Sequence, residues 1–315
     1  MAKLTSIAFV VPYFGVWPNW FPFFLQSCSF NPSIDWLFIT DCGVPENQPA
    51  NTQFIEKTFN EYQREVSDKL GINFLHAHPY KLCDIKPAYG LIHQELLSSY
   101  EFWGFCDIDV MFGNIRKFMT EDVLKHDVIS AHEARISGHF SLFRNNELFR
   151  NAFQQVDGWK GVFEDEKHHR FDEAHFSKLF IWRKNWPKLV RDWLAKFSGY
   201  SCNTYFVEQY STPGCRHDWV DGSRDFPSEW YWDKGRLTNN RSDREFMYFH
   251  FLKWKQKIWN PSYQEIKGLN SAGNMLCEDE GLMLSESCVI NEKGFVVKSS
   301  FDVDVDVDAV IQRGT

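Results

Sequence analysis

A short apolar and aromatic run that ends in two aspartates constrains this chain most strongly. Residues Phe102 to Cys106 have the length and composition of a strand that is buried on both faces. Asp107 and Asp109 follow it, and because the side chains of a strand alternate, both can point to the same side. Parallel α/β sheets bind ligands at the carboxyl ends of their strands, where two carboxylates suit Mg²⁺ or Mn²⁺. The alternative is an ordinary turn in which the aspartates bond backbone amides.

The composition narrows the class of protein. The chain has 315 residues, enough for a large core, and a net charge of −8, so we expect no nucleic-acid partner. Aromatic residues make up 17 % of it, which indicates either stacking on sugar rings and nucleobases or a phenylalanine-rich core. The 8 cysteines lack a CxxC spacing and are expected to be reduced thiols. With no signal-like N-terminal segment and no apolar stretch of about 18 residues, these features predict a cytoplasmic protein.

Apolar runs alternate with helix-like stretches, which predicts an α/β fold with a mostly parallel sheet flanked by helices. The predicted strands are residues 6–11, 35–41, 72–75, 102–106, 127–131, 137–144 and the first part of 246–255. The predicted helices are residues 17–27, 52–70, 88–99, 115–124, 147–155 and 174–180.

A change in composition predicts two parts of the chain. Residues 1–258 are expected to form the sheet domain, and residues 259–315 a C-terminal extension that is strand-rich or partly disordered. Within the extension, Phe301 to Asp308 alternates strictly between apolar and acidic residues. This alternation favours an amphipathic edge strand over a calcium loop, which needs a glycine and a distal glutamate.

Four sequence features, taken in order, resemble those of nucleotide-sugar glycosyltransferases of the GT-A (Rossmann-like) fold. The matching positions are Asp107-Ile108-Asp109, Gly138-His139-Phe140, Asp172-Glu173 and His250. The resemblance covers roughly residues 5 to 255, and it is closest to a little-characterised bacterial group associated with surface-polysaccharide assembly. The segment around His250 departs from the HxxGxxKPW pattern of one retaining family, so the resemblance does not extend to that family.

The resemblance implies a metal site. Asp109 would bind Mn²⁺ or Mg²⁺ directly, and Asp107 would contact the ribose or a metal-bound water. His250 would complete the coordination as a neutral imidazole. The alternative for His250 is a hydrogen-bonded histidine of the core.

The resemblance also implies a catalytic base. Inverting transfer needs a group that removes the proton of the acceptor hydroxyl, and carboxylates serve well. Glu173 is the predicted base, and Asp172 is predicted to hold the acceptor. The alternative is that the pair only complements the positive end of a helix. Retaining enzymes have a similar acidic position, so stereochemistry stays open, with inversion as the working expectation.

Further residues are predicted to contact the donor. By the same resemblance, the segment Pro12-Tyr13-Phe14 would bind the nucleobase. Asp41 would contact the base or ribose, and Lys86 the donor phosphates or sugar. Gly138 would let the backbone approach the donor sugar or the acceptor, and Lys253 and Lys255 would offset the charge of the diphosphate. Five of these residues have an ordinary alternative: core packing for Tyr13, a turn cap for Asp41, a backbone bulge for Gly138, and solvation at the surface for Lys253 and Lys255.

These features predict a metal-dependent hexosyltransferase. It would move a sugar from a nucleotide-sugar donor, expected to be UDP-linked, to a glycan or lipid-linked oligosaccharide. A lipid-linked acceptor implies peripheral association with the inner face of the membrane. A sugar nucleotidyltransferase is the second hypothesis, although the glycine-rich, basic N-terminal loop that would grip a triphosphate is absent. The third is a catalytically silent carbohydrate-binding protein.

Overall fold

The structure is a computed structural model. It describes residues 4–181, 186–195, 197, 199–200, 203–208, 210–212, 227–255 and 286–297. Within these ranges, no helix combines the length and the apolar character that crossing a bilayer requires.

The described residues form thirteen strands, nine α-helices and several shorter helical turns. The strands are β1 (Ile7–Tyr13), β2 (Ile34–Thr40), β3 (Thr52–Glu56), β4 (Phe102–Cys106), β5 (Val110–Phe112), β6 (Val128–Ser130), β7 (Phe140–Arg144), β8 (Thr204–Phe206), β9 (Glu229–Asp233), β10 (Arg236–Asn239), β11 (Tyr248–His250), β12 (Ser287–Asn291) and β13 (Gly294–Val297). The α-helices are α1 (Phe21–Ser29), α2 (Phe59–Leu70), α3 (Leu82–Ile85), α4 (Tyr89–Ile92), α5 (Ile115–Phe118), α6 (Glu147–Arg150), α7 (Trp159–Glu164), α8 (Lys188–Ala195) and α9 (Leu252–Trp254).

A seven-stranded sheet in the order β3-β2-β1-β4-β7-β6-β8 forms the centre of the molecule. Strand β1 runs parallel to β2 and β4, and β3 and β8 run parallel to their neighbours β2 and β6. Only β7 is antiparallel to the strands beside it, β4 and β6. The predicted α/β class, with a mostly parallel sheet flanked by helices, is confirmed.

The sheet has a hydrophobic core on each face. Along β1, Ala8 and Val10 pack on one side with α2 and α4, and Phe9 packs on the other side with α1. Strand β4 is buried at every position, as predicted for a strand covered on both faces. Its Gly104 is required by packing, because a β-carbon there would lie 2.4 Å from the carbonyl oxygen of Ser141 on β7.

Several predicted elements differ from the structure. The predicted helix 52–70 is strand β3 followed by helix α2, and the predicted strand 72–75 is not a strand. Thr58 separates β3 from α2: its hydroxyl accepts from the Glu61 amide while the Glu61 carboxylate accepts from the Thr58 amide. This reciprocal cap starts a helix at Phe59 whatever precedes it.

The other predicted helices are shorter than expected. The predicted helices 88–99, 115–124 and 147–155 contain the one-turn helices α4, α5 and α6 with neighbouring 3₁₀ or irregular turns. The predicted helix 174–180 is a π-helical turn at Phe171–His175 followed by a 3₁₀ turn at Phe176–Leu179. Packing of apolar side chains, rather than long regular helices, holds these segments on the sheet.

A smaller sheet joins the predicted C-terminal extension to the rest of the protein. Its order is β10-β9-β12-β13, and β12 pairs antiparallel with β9. Phe295 of β13 stacks on Phe23 of α1, with ring centroids 4.2 Å apart. The alternating segment 301–308 lies outside the described residues.

A third pairing brings the candidate site together. Strands β5 and β11 are antiparallel, and His250 is the partner of Val110, the residue that follows Asp109. A residue late in the chain is thereby placed beside the carboxyl end of β4.

Candidate active site

Asp107, Asp109 and His250 form a cluster between β4, β5 and β11. Each contributes a ligand atom, and these atoms all lie within 4.8 Å of one another. Asp107 is partly exposed, whereas Asp109 and His250 are buried. The cluster is therefore open on one side and closed on the other, a suitable form for a site that binds a ligand together with a metal ion.

Asp109 is held as a carboxylate by two neighbours. The Lys255 Nζ lies 2.8 Å from its Oδ2, and the His250 Nε2 lies 3.4 Å from the same atom. Burial by itself would raise the pKa of Asp109, but these two groups outweigh it and the pKa lies well below its usual range. Asp109 is therefore ionised at neutral pH.

Apart from the 3.4 Å contact of Nε2 with Asp109, the buried ring nitrogens of His250 have no polar contact of hydrogen-bond geometry among the described residues. Neither Nδ1 nor Nε2 has a hydrogen-bond partner within the part of the chain that the structure describes. The neighbouring His139 differs: its ring stacks on His250 at 4.3 Å, but its Nε2 lies 2.8 Å from the Tyr248 hydroxyl. Buried polar atoms are normally hydrogen-bonded, so an imidazole without a hydrogen bond beside two carboxylates fits a metal ion. Mn²⁺ suits this mixed set better than Mg²⁺, which prefers oxygen ligands alone.

Lys86 ties Asp107 to the loop that precedes β7. Its Nζ donates to Asp107 Oδ1 at 2.5 Å and to the carbonyl oxygen of Gly138 at 2.9 Å. Burial of Lys86 favours the neutral amine, but the adjacent Asp107 outweighs this and raises the pKa of Lys86. The lysine is therefore a permanent cation at the edge of the cluster.

The carboxylate of Asp172 also lies beside Gly138 and Lys86. It is buried, and a β-carbon at Gly138 would lie 3.0 Å from its Oδ2, so the absence of a side chain at Gly138 permits the close approach. Burial raises the pKa of Asp172 to about 7, with Lys86 opposing the shift and Glu173 adding to it. A carboxylate with a pKa near neutrality is suited to exchange a proton with a substrate hydroxyl.

The side chain of Glu173 has different neighbours from that of Asp172. Its carboxylate lies 3.2 Å from the Arg135 guanidinium and also contacts Arg170. Two guanidinium partners occupy the oxygens of this carboxylate, which suits a structural role more than proton transfer. The assignment of the base to Glu173 stays a prediction, and the contacts favour Asp172 for that role.

A buried ion pair that sequence reasoning missed holds the turn that carries Asp172. Asp84 accepts hydrogen bonds from the backbone amides of His169 and Phe171, both at 2.9 Å, and pairs with Lys81 at 2.9 Å. Arg170, between these two amides, has a left-handed backbone with φ 54°. The spacing Lys81-x-x-Asp84 was the available clue, but i,i+3 ion pairs are common on exposed helix surfaces.

The other residues that were predicted to contact the donor differ in their burial and in their neighbours. Tyr13 is half-buried and its ring stacks on Trp17 at 5.1 Å, and Pro12 is half-buried beside it. Phe14 differs from these two residues, because its side chain is 2 % exposed and packs in the core against Phe59 and Tyr62.

Asp41 and the two late lysines complete the predicted set. Asp41 is exposed and its Oδ1 accepts from the Gly15 amide at 2.7 Å, which caps the loop after β1. Lys255 bonds Asp109, whereas the side chain of Lys253 lies outside the described residues. The structure thus brings together Lys86, Asp107, Gly138 and Asp172 on one side and Asp109, His250 and Lys255 on the other.

Comparison with known proteins identifies the family. The model of the family described as "Family of unknown function (DUF6625)" matches residues 9–272, so the chain belongs to this family. No curated protein matches the sequence.

Two solved structures resemble the chain at low similarity. One is the glycosyltransferase GlyE of Streptococcus pneumoniae TIGR4, with 10 % identity and a TM-score of 0.29, covering 52 % of this chain and 44 % of that one. The chain therefore matches less than half the length of GlyE. The other is mouse xyloside xylosyltransferase 1 in its apo form, with 8 % identity and a TM-score of 0.35, covering 78 % of this chain and 96 % of that one. These likenesses are too distant to assign a function.

Proposed function

We propose that this protein is a metal-dependent glycosyltransferase that uses a nucleotide-sugar donor. The observation that carries the proposal is the cluster of Asp107, Asp109 and His250, in which a buried imidazole without a hydrogen-bond partner faces two carboxylates. These three residues would hold Mn²⁺ or Mg²⁺. When bound, the ion would neutralise the charge that develops on a departing diphosphate.

The lysines of the site support binding of a diphosphate. Lys86 and Lys255 are each bonded to one of the two aspartates, so the cluster already balances most of its own negative charge. With a divalent cation added, the site becomes positive and attracts a nucleoside diphosphate. A UDP-linked donor and a glycan or lipid-linked acceptor belong to this proposal, as do peripheral membrane association and a place in surface-polysaccharide assembly.

Asp172 is the best candidate for the base in an inverting transfer. Its neighbours Lys86 and Gly138 also adjoin the metal cluster, so an acceptor hydroxyl next to the donor sugar would lie within its reach. Asp172 would take the hydroxyl proton as the oxygen bonds to the anomeric carbon and the diphosphate leaves. Glu173 and its two arginines would keep the adjacent backbone in place.

Thermal denaturation with Mn²⁺ and a panel of nucleoside diphosphates tests the proposal. We expect one diphosphate to raise the melting temperature only when Mn²⁺ is also present, because the metal and phosphates bind as a unit. Asp109→Asn should lose this shift, whereas Asp122→Asn, at an exposed aspartate paired with Lys125, should keep it.

Other outcomes would redirect or refute the proposal. A shift with a nucleoside triphosphate and a sugar phosphate would favour a sugar nucleotidyltransferase. A shift with sugars alone would favour a carbohydrate-binding protein. Absence of any shift with nucleotides and Mn²⁺ would contradict transfer from a nucleotide sugar.

A further inference from the structure

Helix α8, together with Trp186 before it and Phe197 after it, presents an exposed row of large apolar side chains. Leu189, Trp193 and Phe197 are 84 %, 59 % and 76 % exposed, and Trp186 and Val190 are 42 % and 37 % exposed. Their spacing of three or four residues places those within the helix on one face. The Trp193 and Phe197 rings lie 5.2 Å apart, so the row is continuous past the helix end. Single exposed apolar residues are ordinary, but a contiguous row indicates an interaction surface.

The sequence around this row is strongly basic. Between residues 178 and 197 there is one acidic residue, Asp192, against six basic ones: Lys178, Arg183, Lys184, Lys188, Arg191 and Lys196. The whole chain, by contrast, has a net charge of −8. An amphipathic helix that combines Trp, Phe and Leu with basic residues is typical of segments that lie in the interface of a bilayer.

The residues that lie before and after the apolar row in the sequence pack against each other. Phe180 is buried, and its ring lies 6.3 Å from that of Tyr200, which also contacts Phe149 of α6. Phe180 and Tyr200, which lie before and after the apolar row in the sequence, are therefore close together at the core. Phe180 lies eight residues after Asp172, so the apolar row follows the turn that carries Asp172 closely in the sequence.

We propose that residues 186–197 dock on the surface of a bilayer that contains anionic lipids. The apolar row would insert among the acyl chains near the headgroups, and the basic residues of the segment would attract the lipid phosphates. A second copy of the chain is the less favourable occupant, because a symmetric contact would bring two basic segments together. This docking does not depend on the transferase activity.

Vesicle sedimentation tests the proposal with the full chain. At about 0.1 M salt we expect binding to phosphatidylcholine vesicles containing phosphatidylglycerol at least about tenfold stronger than to phosphatidylcholine alone. Raising the salt to about 0.5 M should weaken it, because the electrostatic part is screened. The triple variant Leu189→Ser/Trp193→Ser/Phe197→Ser should bind at least about tenfold more weakly, with an unchanged melting temperature since these side chains are exposed.

Matched control variants test whether the location of the changed side chains matters, or only the loss of apolar or basic side chains from the protein. Leu4→Ser/Leu75→Ser/Leu148→Ser removes three other exposed apolar side chains, which are 57 %, 56 % and 44 % exposed, and should leave binding unchanged. Lys188→Glu/Arg191→Glu should weaken binding, whereas Lys69→Glu/Lys125→Glu, at basic residues far away in the sequence, should weaken it much less.

Three results would overturn the inference. The first is equal vesicle binding by the triple variant and the unmodified chain. The second is no preference for anionic vesicles at low salt. The third is a dimer in light scattering that the triple variant converts to a monomer, which would assign the apolar row to a second copy. Because vesicle binding is measured without substrate, failure of the proposed transferase activity would not affect it.

Discussion

At the scale of single residues, the charges of the candidate site are paired one to one. Asp107 is bonded to Lys86 and Asp109 to Lys255, and His250 alone in the cluster has no hydrogen-bond partner among the described residues. An uncharged imidazole can donate a lone pair to a cation without adding charge. This division of roles makes His250 the most informative residue to change.

The first prediction concerns His250→Gln. We expect it to weaken Mn²⁺ binding by at least about tenfold, since even groups that only support a ligand contribute about 10- to 100-fold to affinity. Titration calorimetry with Mn²⁺ measures the change. His126→Gln is the matched control, because that half-buried ring bonds the Val123 carbonyl outside the cluster. Equal Mn²⁺ affinity of His250→Gln and the unmodified chain would exclude the metal role.

The second prediction separates the two acidic neighbours. Asp172→Asn should lower turnover by about 10²- to 10⁴-fold, the usual contribution of a general base. Nucleotide affinity should stay within about threefold, since Asp172 is not a metal ligand in the proposed site. Glu173→Gln, which loses only contacts with Arg135 and Arg170, should keep most of the turnover. The reverse pattern would return the base to Glu173.

The pKa of Asp172 gives this prediction a pH dependence. Because burial raises this pKa to about 7, the active carboxylate is lost as the pH falls through about 7, and turnover should fall with it. For stability the sign is opposite. The folded protein holds a proton that the unfolded chain releases above about pH 4, so Asp172 destabilises the fold increasingly from about pH 4 to about pH 7. Asp172→Asn should therefore raise the melting temperature at pH 8 and have a smaller effect at pH 4.

At the scale of elements, the turn between α7 and the Phe171–His175 π-helical turn depends on one buried carboxylate. Asp84 on α3 bonds two backbone amides of this turn, and Lys81 extends to the carbonyl oxygens of Val162 and Lys167, each at 2.7 Å. Two short elements thus fix an irregular segment that has no long helix of its own. The position of Asp172 follows from these bonds.

The third prediction tests that support. Asp84→Asn removes one partner of a buried ion pair and should lower the free energy of unfolding by about 3–5 kcal/mol, measured by urea denaturation. Turnover should fall more than nucleotide affinity, because the turn carries Asp172 and not the metal ligands. Asp122→Asn removes an i,i+3 partner of Lys125 at the surface and should not change stability measurably. A stability loss that is the same for both variants would contradict the assigned role.

At the scale of the whole molecule, the smaller sheet links distant parts of the chain. Strand β12 covers β9, and Phe295 of β13 stacks on Phe23 of α1. Trp230 and Trp232 of β9 are buried in the same cluster. The end of the chain therefore contributes to the packing of residues far earlier in the sequence.

The fourth prediction follows from this packing. A chain that ends at residue 258 lacks β12 and β13, which leaves β9 with an unpaired edge and uncovers part of an apolar cluster. It should have a lower melting temperature and a stronger tendency to aggregate. A chain that ends at residue 297 keeps both strands and is the control for truncation itself. Equal melting temperatures for the two truncated chains would show that these strands contribute nothing.

The sequence by itself determined the local parts of this structure. The run Phe102–Cys106 is uniformly apolar and can only be a strand covered on both faces, so the place of Asp107 and Asp109 at its end followed directly. The alternation of apolar runs and helix-like stretches was sufficient to predict a mostly parallel α/β sheet. These inferences succeed because periodicity and composition act over a few neighbouring residues.

Only the tertiary structure decided the relations between distant residues. The pairing of β5 with β11 places His250 beside Asp109. The packing of the Asp172 carboxylate against the backbone of Gly138 makes Asp172, and not Glu173, the buried member of the acidic pair. The burial of Phe14 in the core was decided in the same way. The physical reason is that burial, and with it the pKa of a carboxylate, depends on which elements pack together, and strand pairing across most of the chain is not encoded in any short stretch.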